Sequence, residues 1–302
     1  MGENIYYNAE IKAWECYCSL DRDVFQWYNN SLKGLTKMKK YKIIDAHCHI
    51  YPDKIAEKAS LGTGAFYNVK MAYDGKIDTL FTVAERAGID RCLIHSVATT
   101  AKQVASINSF IAQEVQLGKG RFIGFGALHP DSEDIKGDVE SLISLGLCGV
   151  KLHPDIQGVA ADDPRCLKIY DEIAGKIPLL IHCGDSRYNM SNPEQISRVM
   201  DMYPHMTVIA AHFGGYSVWE KAVECYAGRK NVYVDTSSSF WKLSDEQIRE
   251  YIKAYGVDKV LFGTDYPMWD ACDELDRLFS LGLSEREYDM ILHENLERLL
   301  GL

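Results

Sequence analysis

Long hydrophobic runs are missing from this 302-residue sequence: no stretch approaches the roughly 18 uninterrupted apolar residues that a membrane-spanning helix requires. The segment from Met1 to Trp14 also lacks a basic stretch followed by an apolar one, the pattern of a secretory leader. A cytoplasmic protein without a membrane partner is the expectation. Positive charge is in short supply, because 33 Lys and Arg stand against 43 Asp and Glu, a formal net charge of −10. Nucleic-acid binding draws on a basic footprint, so the expected partner is a small-molecule substrate and not a polynucleotide. Paired cysteines are absent too. The nine cysteines are odd in number, scattered from Cys16 to Cys272, and form no C-x-x-C pair. They read as reduced, mostly buried thiols and not as a secreted disulfide scaffold.

What the sequence does contain is a repeat of short β-branched runs, each followed by an amphipathic stretch. Strand-like runs occur at Lys42–Ile50, Arg91–Ala98, Phe122–His129, Cys148–His153, Leu179–Cys183, Val208–His212, Val232–Ser237 and Val260–Asp265. From the second onward they recur at intervals of about 25–31 residues, the length of one βα unit. Helix-like segments lie between them at Val104–Leu117, Ile135–Leu145, Leu167–Ala174, Ile196–Tyr203, Val218–Tyr226 and Ile248–Tyr255. Several open with capping chemistry: Asp162-Asp163-Pro164, Ser191-Asn192-Pro193, and Ser244 followed three residues later by Gln247. Near-continuous apolar strands alternating with helices indicate a parallel sheet, and eight units predict an α/β fold closed into a (β/α)8 barrel.

One domain is expected over residues 41–302, preceded by an N-terminal helical extension at residues 1–40. That extension holds Trp14, Phe25, Trp27 and several tyrosines, too many aromatics for a disordered tail. Helices packed on the barrel or on a second subunit are expected there, and a homodimer follows as a reasonable arrangement. The long, Gly- and Tyr-containing segment from Tyr51 to Lys76 is expected to arch over the barrel mouth as a lid.

The first strand ends Asp45-Ala46-His47-Cys48-His49, and residues two apart in a strand point the same way. His47 and His49 therefore offer two nitrogens to a divalent ion at the C-terminal end of the barrel. Alone, such a pair is weak evidence. Three other polar groups end buried runs: His182 after Pro178-Leu179-Leu180-Ile181, His212 after Val208-Ile209-Ala210-Ala211, and Asp265 after Leu261-Phe262-Gly263-Thr264. In a closed barrel such positions surround the active site. Neutral imidazoles with a carboxylate suit zinc, although manganese, iron or nickel fit the same donors. One zinc ion is the expected cofactor. Asp265 is expected to ligate through one oxygen and take a proton from water through the other, with His212 orienting that water or polarising the substrate.

The Asp45–His49 strand, Gly149-Val150-Lys151-Leu152-His153-Pro154, His182-Cys183-Gly184-Asp185, Ala211-His212-Phe213-Gly214-Gly215 and Phe262-Gly263-Thr264-Asp265-Tyr266-Pro267 resemble signature blocks of the amidohydrolase superfamily. The likeness is to the amidohydrolase-related branch that includes aminocarboxymuconate-semialdehyde decarboxylase. It runs from about residue 42 to the end, closing on Asn295-Leu296-Glu297-Arg298-Leu299-Leu300-Gly301. The resemblance implies a single ion held by His47, His49, His182 and Asp265, with His212 acting on water or substrate.

Lys151 matches the lysine that is carboxylated and bridges two metals in binuclear members. Here the favoured reading is an unmodified ammonium that pairs with Asp265 or binds an anionic substrate. His153 is a candidate substrate contact, and Arg187 a candidate clamp for a substrate carboxylate. His95 and His129 read as packed or hydrogen-bonded histidines, and Trp241 and Trp269 as pocket walls or core. Gly214 and Gly215 read as serving backbone geometry after the sixth strand.

The function expected first is metal-dependent hydrolysis of an amide, lactone or ester in a small polar metabolite. Metal-dependent non-oxidative decarboxylation of an unsaturated or aromatic acid is the alternative, since the same ligands serve both. A non-catalytic metal-binding barrel ranks below these, because Asp265 adds a group suited to proton transfer. A TatD-like nuclease ranks lower as well, since that family carries a glutamate where Lys151 stands.

Overall fold

Nine short parallel strands, all but the first no longer than five residues, make up the sheet of a computed structural model that describes residues 40–302. The expected extension over residues 1–40 lies, apart from Lys40, outside the described residues. The strands are β1 (Ile44–His49), β2 (Arg91–His95), β3 (Phe122–Gly124), β4 (Gly126–Ala127), β5 (Val150–Leu152), β6 (Leu179–Ile181), β7 (Val208–Ala210), β8 (Val232–Asp235) and β9 (Val260–Leu261). They pair in the order β1-β2-β3 and β4-β5-β6-β7-β8-β9, every pair parallel. β3 and β4 are the two halves of the third expected run, parted at Phe125, whose N–H donates to Ile94 O at 3.0 Å while Gly126 N donates to Gly149 O at 2.9 Å. At the other seam Ala46 N donates to Phe262 O at 2.8 Å and His49 N to Tyr266 O at 2.7 Å. The two sheets thus close on each other, and the eight expected runs form the staves of a TIM barrel.

The hydrogen-bonded ladders stop short of the expected runs at their C-terminal ends. β6 ends at Ile181, one residue before His182, and β7 ends at Ala210, two before His212. His212 and Asp265 adopt positive φ of 62° and 60°, a region that non-glycine residues rarely enter. The chain leaves the ladder there and turns its polar side chains inward. Gly214 has φ 76°, and a Cβ on it would stand 2.8 Å from the Tyr226 ring, so glycine is required at that turn.

Twelve α-helices among the described residues connect or line the barrel. α1 (Asp53–Tyr67) and α2 (Ile77–Ala87) follow β1, α3 (Val104–Leu117) follows β2, and α4 (Ile135–Ser144) follows β4. Beyond β5 come α5 (Pro154–Gln157) and α6 (Pro164–Ile173), then α7 (Pro193–Met202), α8 (Trp219–Tyr226) and α9 (Asp245–Tyr255) after β6, β7 and β8. α10 (Ala271–Ser280), α11 (Glu285–Asp289) and α12 (Asn295–Leu300) end the chain. The capping signals act as their chemistry requires: Asp163 accepts from Arg165 N before Pro164, and Asn192 and Ser244 form reciprocal caps with Gln195 and Gln247. The expected lid segment carries the 15-residue helix α1, whose Phe66 and Tyr67 face the barrel mouth.

The barrel interior is filled by Ile44, Ala46, Leu93, Ile123, Phe125, Leu180, Ile209, Ala211 and Leu261, with Leu296 of α12 packed among them. Each large aliphatic buried in this way contributes roughly 1.5–3 kcal/mol, so the floor beneath the polar mouth is rigid. Seven cysteines among the described residues are free thiols, and four of them are buried. No helix among the described residues is long and apolar enough to cross a membrane.

Candidate active site

β1 carries His47 and His49 to the mouth with Nε2 atoms 3.3 Å apart. Asp265 Oδ1 lies 3.4 Å from His47 Nε2 and 3.5 Å from His49 Nε2. Three donor atoms separated in this way match the edges of a tetrahedron around an ion with bonds of about 2.1 Å, for which the edge is about 3.4 Å. His47 Nδ1 faces Asp235 Oδ2 at 2.9 Å. With its proton given to that carboxylate, His47 keeps a lone pair on Nε2 for a metal, and the ring orientation is fixed from behind. Burial holds His47 and His49 well below the ordinary imidazole range, so both are neutral donors. The donor set therefore fits a divalent transition metal.

Lys151 on β5 is 1% exposed, and its Nζ donates to His47 Nε2 at 3.0 Å. Its hydrogen bond goes to the histidine, while Asp265 acts on it through charge alone. Burial lowers the Lys151 ammonium to about 8 and pushes the Asp265 carboxyl up to about 6, the latter opposed by the Ser238 hydroxyl and then by Lys151. Ser238 donates to Asp265 Oδ2 and accepts from Trp269 Nε1 at 2.8 Å. Trp241 Nε1 donates to Ser238 O at 3.0 Å, and its ring stacks on Trp269. These tryptophans brace the loops around Asp265 and stand outside the cavity wall.

His182 and His212 form the next layer. His182 Nδ1 meets His212 Nε2 at 2.9 Å, and His182 Nε2 meets Gly184 O at 2.9 Å. The carbonyl requires a proton on His182 Nε2, and the Ser237 carbonyl 3.1 Å from His212 Nδ1 requires one there, so the contact between the two rings brings two lone pairs together. The His212 ring lies between, its centroid 5.2 Å from that of His47 and 4.8 Å from that of His182. His212 Nδ1 contacts Ser237 Oγ at 2.9 Å, and burial lowers its pKa to about 4, partly countered by Asp235. His153 stacks on His182 at 4.0 Å and pairs with the Tyr67 hydroxyl at 2.7 Å.

A cavity of about 770 Å3 opens onto this cluster. His49, Lys151, His153, His182, His212 and Asp265 line its floor, and Phe66, Tyr67, Met71, Ile107, Phe110 and Met268 line its sides. Seven of the eight residues singled out from sequence come together here: six on this floor and His47 directly behind it. Arg187 does not. Its Nη2 pairs with Asp185 Oδ2 at 2.6 Å, its Nη1 donates to Phe66 O at 2.7 Å, and it lies over the Phe66 and Tyr67 rings. The guanidinium ties the C-terminal end of α1 to the turn after β6, away from the cavity wall where a substrate clamp was expected.

Three participants were passed over in the sequence. Asp235, and Asp155 with its Oδ2 3.5 Å from His182 Nε2, lack the histidine pattern that drew attention elsewhere, although Asp235 ends an apolar run as Asp265 does. His95, read as a packed histidine, is fully buried against His47 and His49 with neither ring nitrogen hydrogen-bonded. His129 fits that reading, since its Nδ1 accepts from Asp131 N at 3.1 Å.

This barrel, with histidines and a carboxylate at its strand ends, defines a class that comparison names. A family model described as amidohydrolase matches residues 44–302, so the chain belongs to that family and is an enzyme. No curated protein matches it. Among solved structures, it is similar to an uncharacterized TIM-barrel protein, Bb4693, from Bordetella bronchiseptica, at 20% identity and TM-score 0.70 over 86% of this chain and 98% of that one. It is also similar to a dihydroxybenzoic acid decarboxylase from Polaromonas sp. JS666, solved with manganese and the inhibitor 2-nitroresorcinol, at 17% identity, TM-score 0.68, and 87% and 97% coverage. The 5-carboxyvanillate decarboxylase LigW from Sphingomonas paucimobilis matches at 17% identity, TM-score 0.66, and 86% and 99% coverage.

Proposed function

We propose that residues 41–302 form the catalytic domain of a metal-dependent, non-oxidative decarboxylase acting on an aromatic or unsaturated carboxylic acid. The observation that carries this reading is the cavity itself: aromatic and apolar walls above a floor that presents a buried ammonium and a histidine–carboxylate cluster. Such a space suits a flat ring whose carboxylate is held at one end, and the solved structures this chain resembles include a dihydroxybenzoic acid decarboxylase and a 5-carboxyvanillate decarboxylase. This reading displaces hydrolysis, the function expected first.

The ion would be held by His47, His49 and Asp265, with His182 as the further donor expected from sequence. When bound, it supplies a Lewis-acid grip on substrate oxygens. Zinc remains the proposed ion, with manganese its main competitor in view of the manganese-containing relative. Lys151 would offset the carboxylate charge, and Phe66, Phe110 and Met268 would exclude water from it. Asp265, having taken a proton from water, would deliver it to the ring carbon as the carboxylate departs as carbon dioxide. His212 and His153 would position the substrate.

Hydrolysis is retained as the second reading on one observation, namely that Asp265 Oδ1 stands within 3.5 Å of two metal-donor nitrogens, where a carboxylate can also take a proton from water. Turnover of hydroxybenzoates and unsaturated acids, followed by carbon dioxide release, is compared with turnover of amides and lactones, before and after chelation. Carbon dioxide release that is lost on chelation is expected; ammonia or acid release from amides or lactones alone would overturn the decarboxylase reading. His47→Ala should lose most of the bound metal, whereas Asp265→Asn should retain more of it and lose at least about 100-fold in rate.

A further inference from the structure

Among the described residues, His95 is the one fully buried histidine of the mouth that no hydrogen bond accounts for. It ends β2, in register beside His49 on β1, and neither Nδ1 nor Nε2 has a partner. Buried polar nitrogens are ordinarily satisfied; His153 has a polar partner at each ring nitrogen, and His182 and His212 each bond at least one, whereas His95 finds none. Its ring stands edge-on to His49 at 4.4 Å and to His47 at 4.8 Å between centroids. One nitrogen from each of His47, His49 and His95 falls within 4.8 Å of the others. His47 must contribute Nε2, because Nδ1 is bonded to Asp235. Nor does His95 reach the cavity wall, so a substrate cannot satisfy it.

We propose that His95 is a third imidazole ligand of the metal centre, holding from β2 the ion that His47 and His49 hold from β1. The inference rests on the reading that this cluster binds a divalent ion, and it deepens that reading by assigning a ligand. The spare lone pair of His95 meets a cation on the side of the cluster turned away from the cavity, leaving the cavity side to Asp265 and the substrate. A set richer in imidazole than in carboxylate favours zinc, cobalt or nickel over magnesium and manganese. This chain is therefore expected to discriminate against manganese.

The test uses the full chain, stripped and reloaded with zinc or cobalt. Zinc affinity by chelator competition and the visible spectrum of the cobalt form are measured for the parent, His95→Phe, His95→Asn and His47→Ala. We expect both His95 variants to lose about tenfold or more in zinc affinity and to shift the cobalt bands, with a smaller loss for manganese. Unchanged affinity and bands in both, while His47→Ala loses the ion, would overturn the proposal and leave the metal reading intact. If His47→Ala binds as the parent does, the metal reading itself fails. Should the His95 variants not fold, a crystal structure of the zinc-loaded parent with anomalous scattering decides. A His95 nitrogen at about 2.0–2.1 Å from the ion supports the assignment, and one bonded to water instead overturns it.

Discussion

The Lys151 ammonium and the His47 imidazole, from β5 and β1, meet at 3.0 Å with both side chains excluded from solvent. A cation facing the nitrogen that a metal would use makes Lys151 the positive end of the cavity floor.

Replacing it with methionine keeps the volume and removes the charge. Lys151→Met is expected to lower kcat/KM about 100-fold or more, while metal content changes little. Initial-rate kinetics with parallel metal analysis check this. In the metal-free protein the variant also has a pH signature. Burial lowers the Lys151 pKa from 10.5 to about 8, so between these values the unfolded chain holds a proton that the folded protein has released. Stability of the parent should rise across that window and be complete above it, and Lys151→Met should be the more stable protein at pH 7 and lack the rise. Thermal unfolding from pH 7 to 10.5 reads this out.

Arg187 links Asp185 to the last turn of α1, and its fork geometry makes the link specific. Arg187→Ala is expected to raise KM more than it lowers kcat and to increase amide exchange over residues 53–67. Arg187→Lys should not rescue either property, because an ammonium cannot reproduce the planar contacts. Unaltered exchange together with a raised KM would instead return Arg187 to direct substrate contact.

Gly62 lies on the cavity side of α1, and a Cβ placed there meets nothing within 4 Å. Gly62→Leu should therefore narrow the cavity without straining the fold, and remove the helix penalty of glycine, about 1 kcal/mol. KM for substituted aromatic acids is expected to rise about tenfold, with unfolding temperature maintained or raised; that magnitude corresponds to about 1.4 kcal/mol of lost binding. Equal kinetics in the two proteins would place the substrate elsewhere.

Glu274 of α10 is 6% exposed, and its Oε2 has no partner. Burial pushes its carboxyl well above the usual 4.5, with Asp45 and Asp265 adding to the effect. The folded protein thus keeps a proton that the unfolded chain releases, and stability falls as pH climbs from about 4.5 through the folded value. Glu274→Gln should raise the unfolding temperature at pH 8 and leave it unaltered at pH 4, as differential scanning calorimetry would report.

Local rules reached far into this molecule. Alternating apolar runs and amphipathic stretches marked the staves, Ser244 with Gln247 marked the start of α9, and the period of two put His47 and His49 on one face. Those features depend on neighbours within a few residues, and a one-dimensional pattern records them. The lid segment was placed over the mouth from its length, but its helix was not read, because glycines at positions 62 and 64 mask a pattern that packing against the barrel sustains.

Other assignments belonged to the closed barrel alone. Asp235 reaches His47 across 188 residues of chain, His95 comes to lie against two histidines on the adjoining strand, and Arg187 turns from a free cation into a tie because α1 happens to end above it. Which nitrogen faces which oxygen is decided by rotamers packed at interior density, where several partners compete for each proton. A chain read residue by residue names the participants; only the curvature of the sheet brings them within bonding distance and chooses among them.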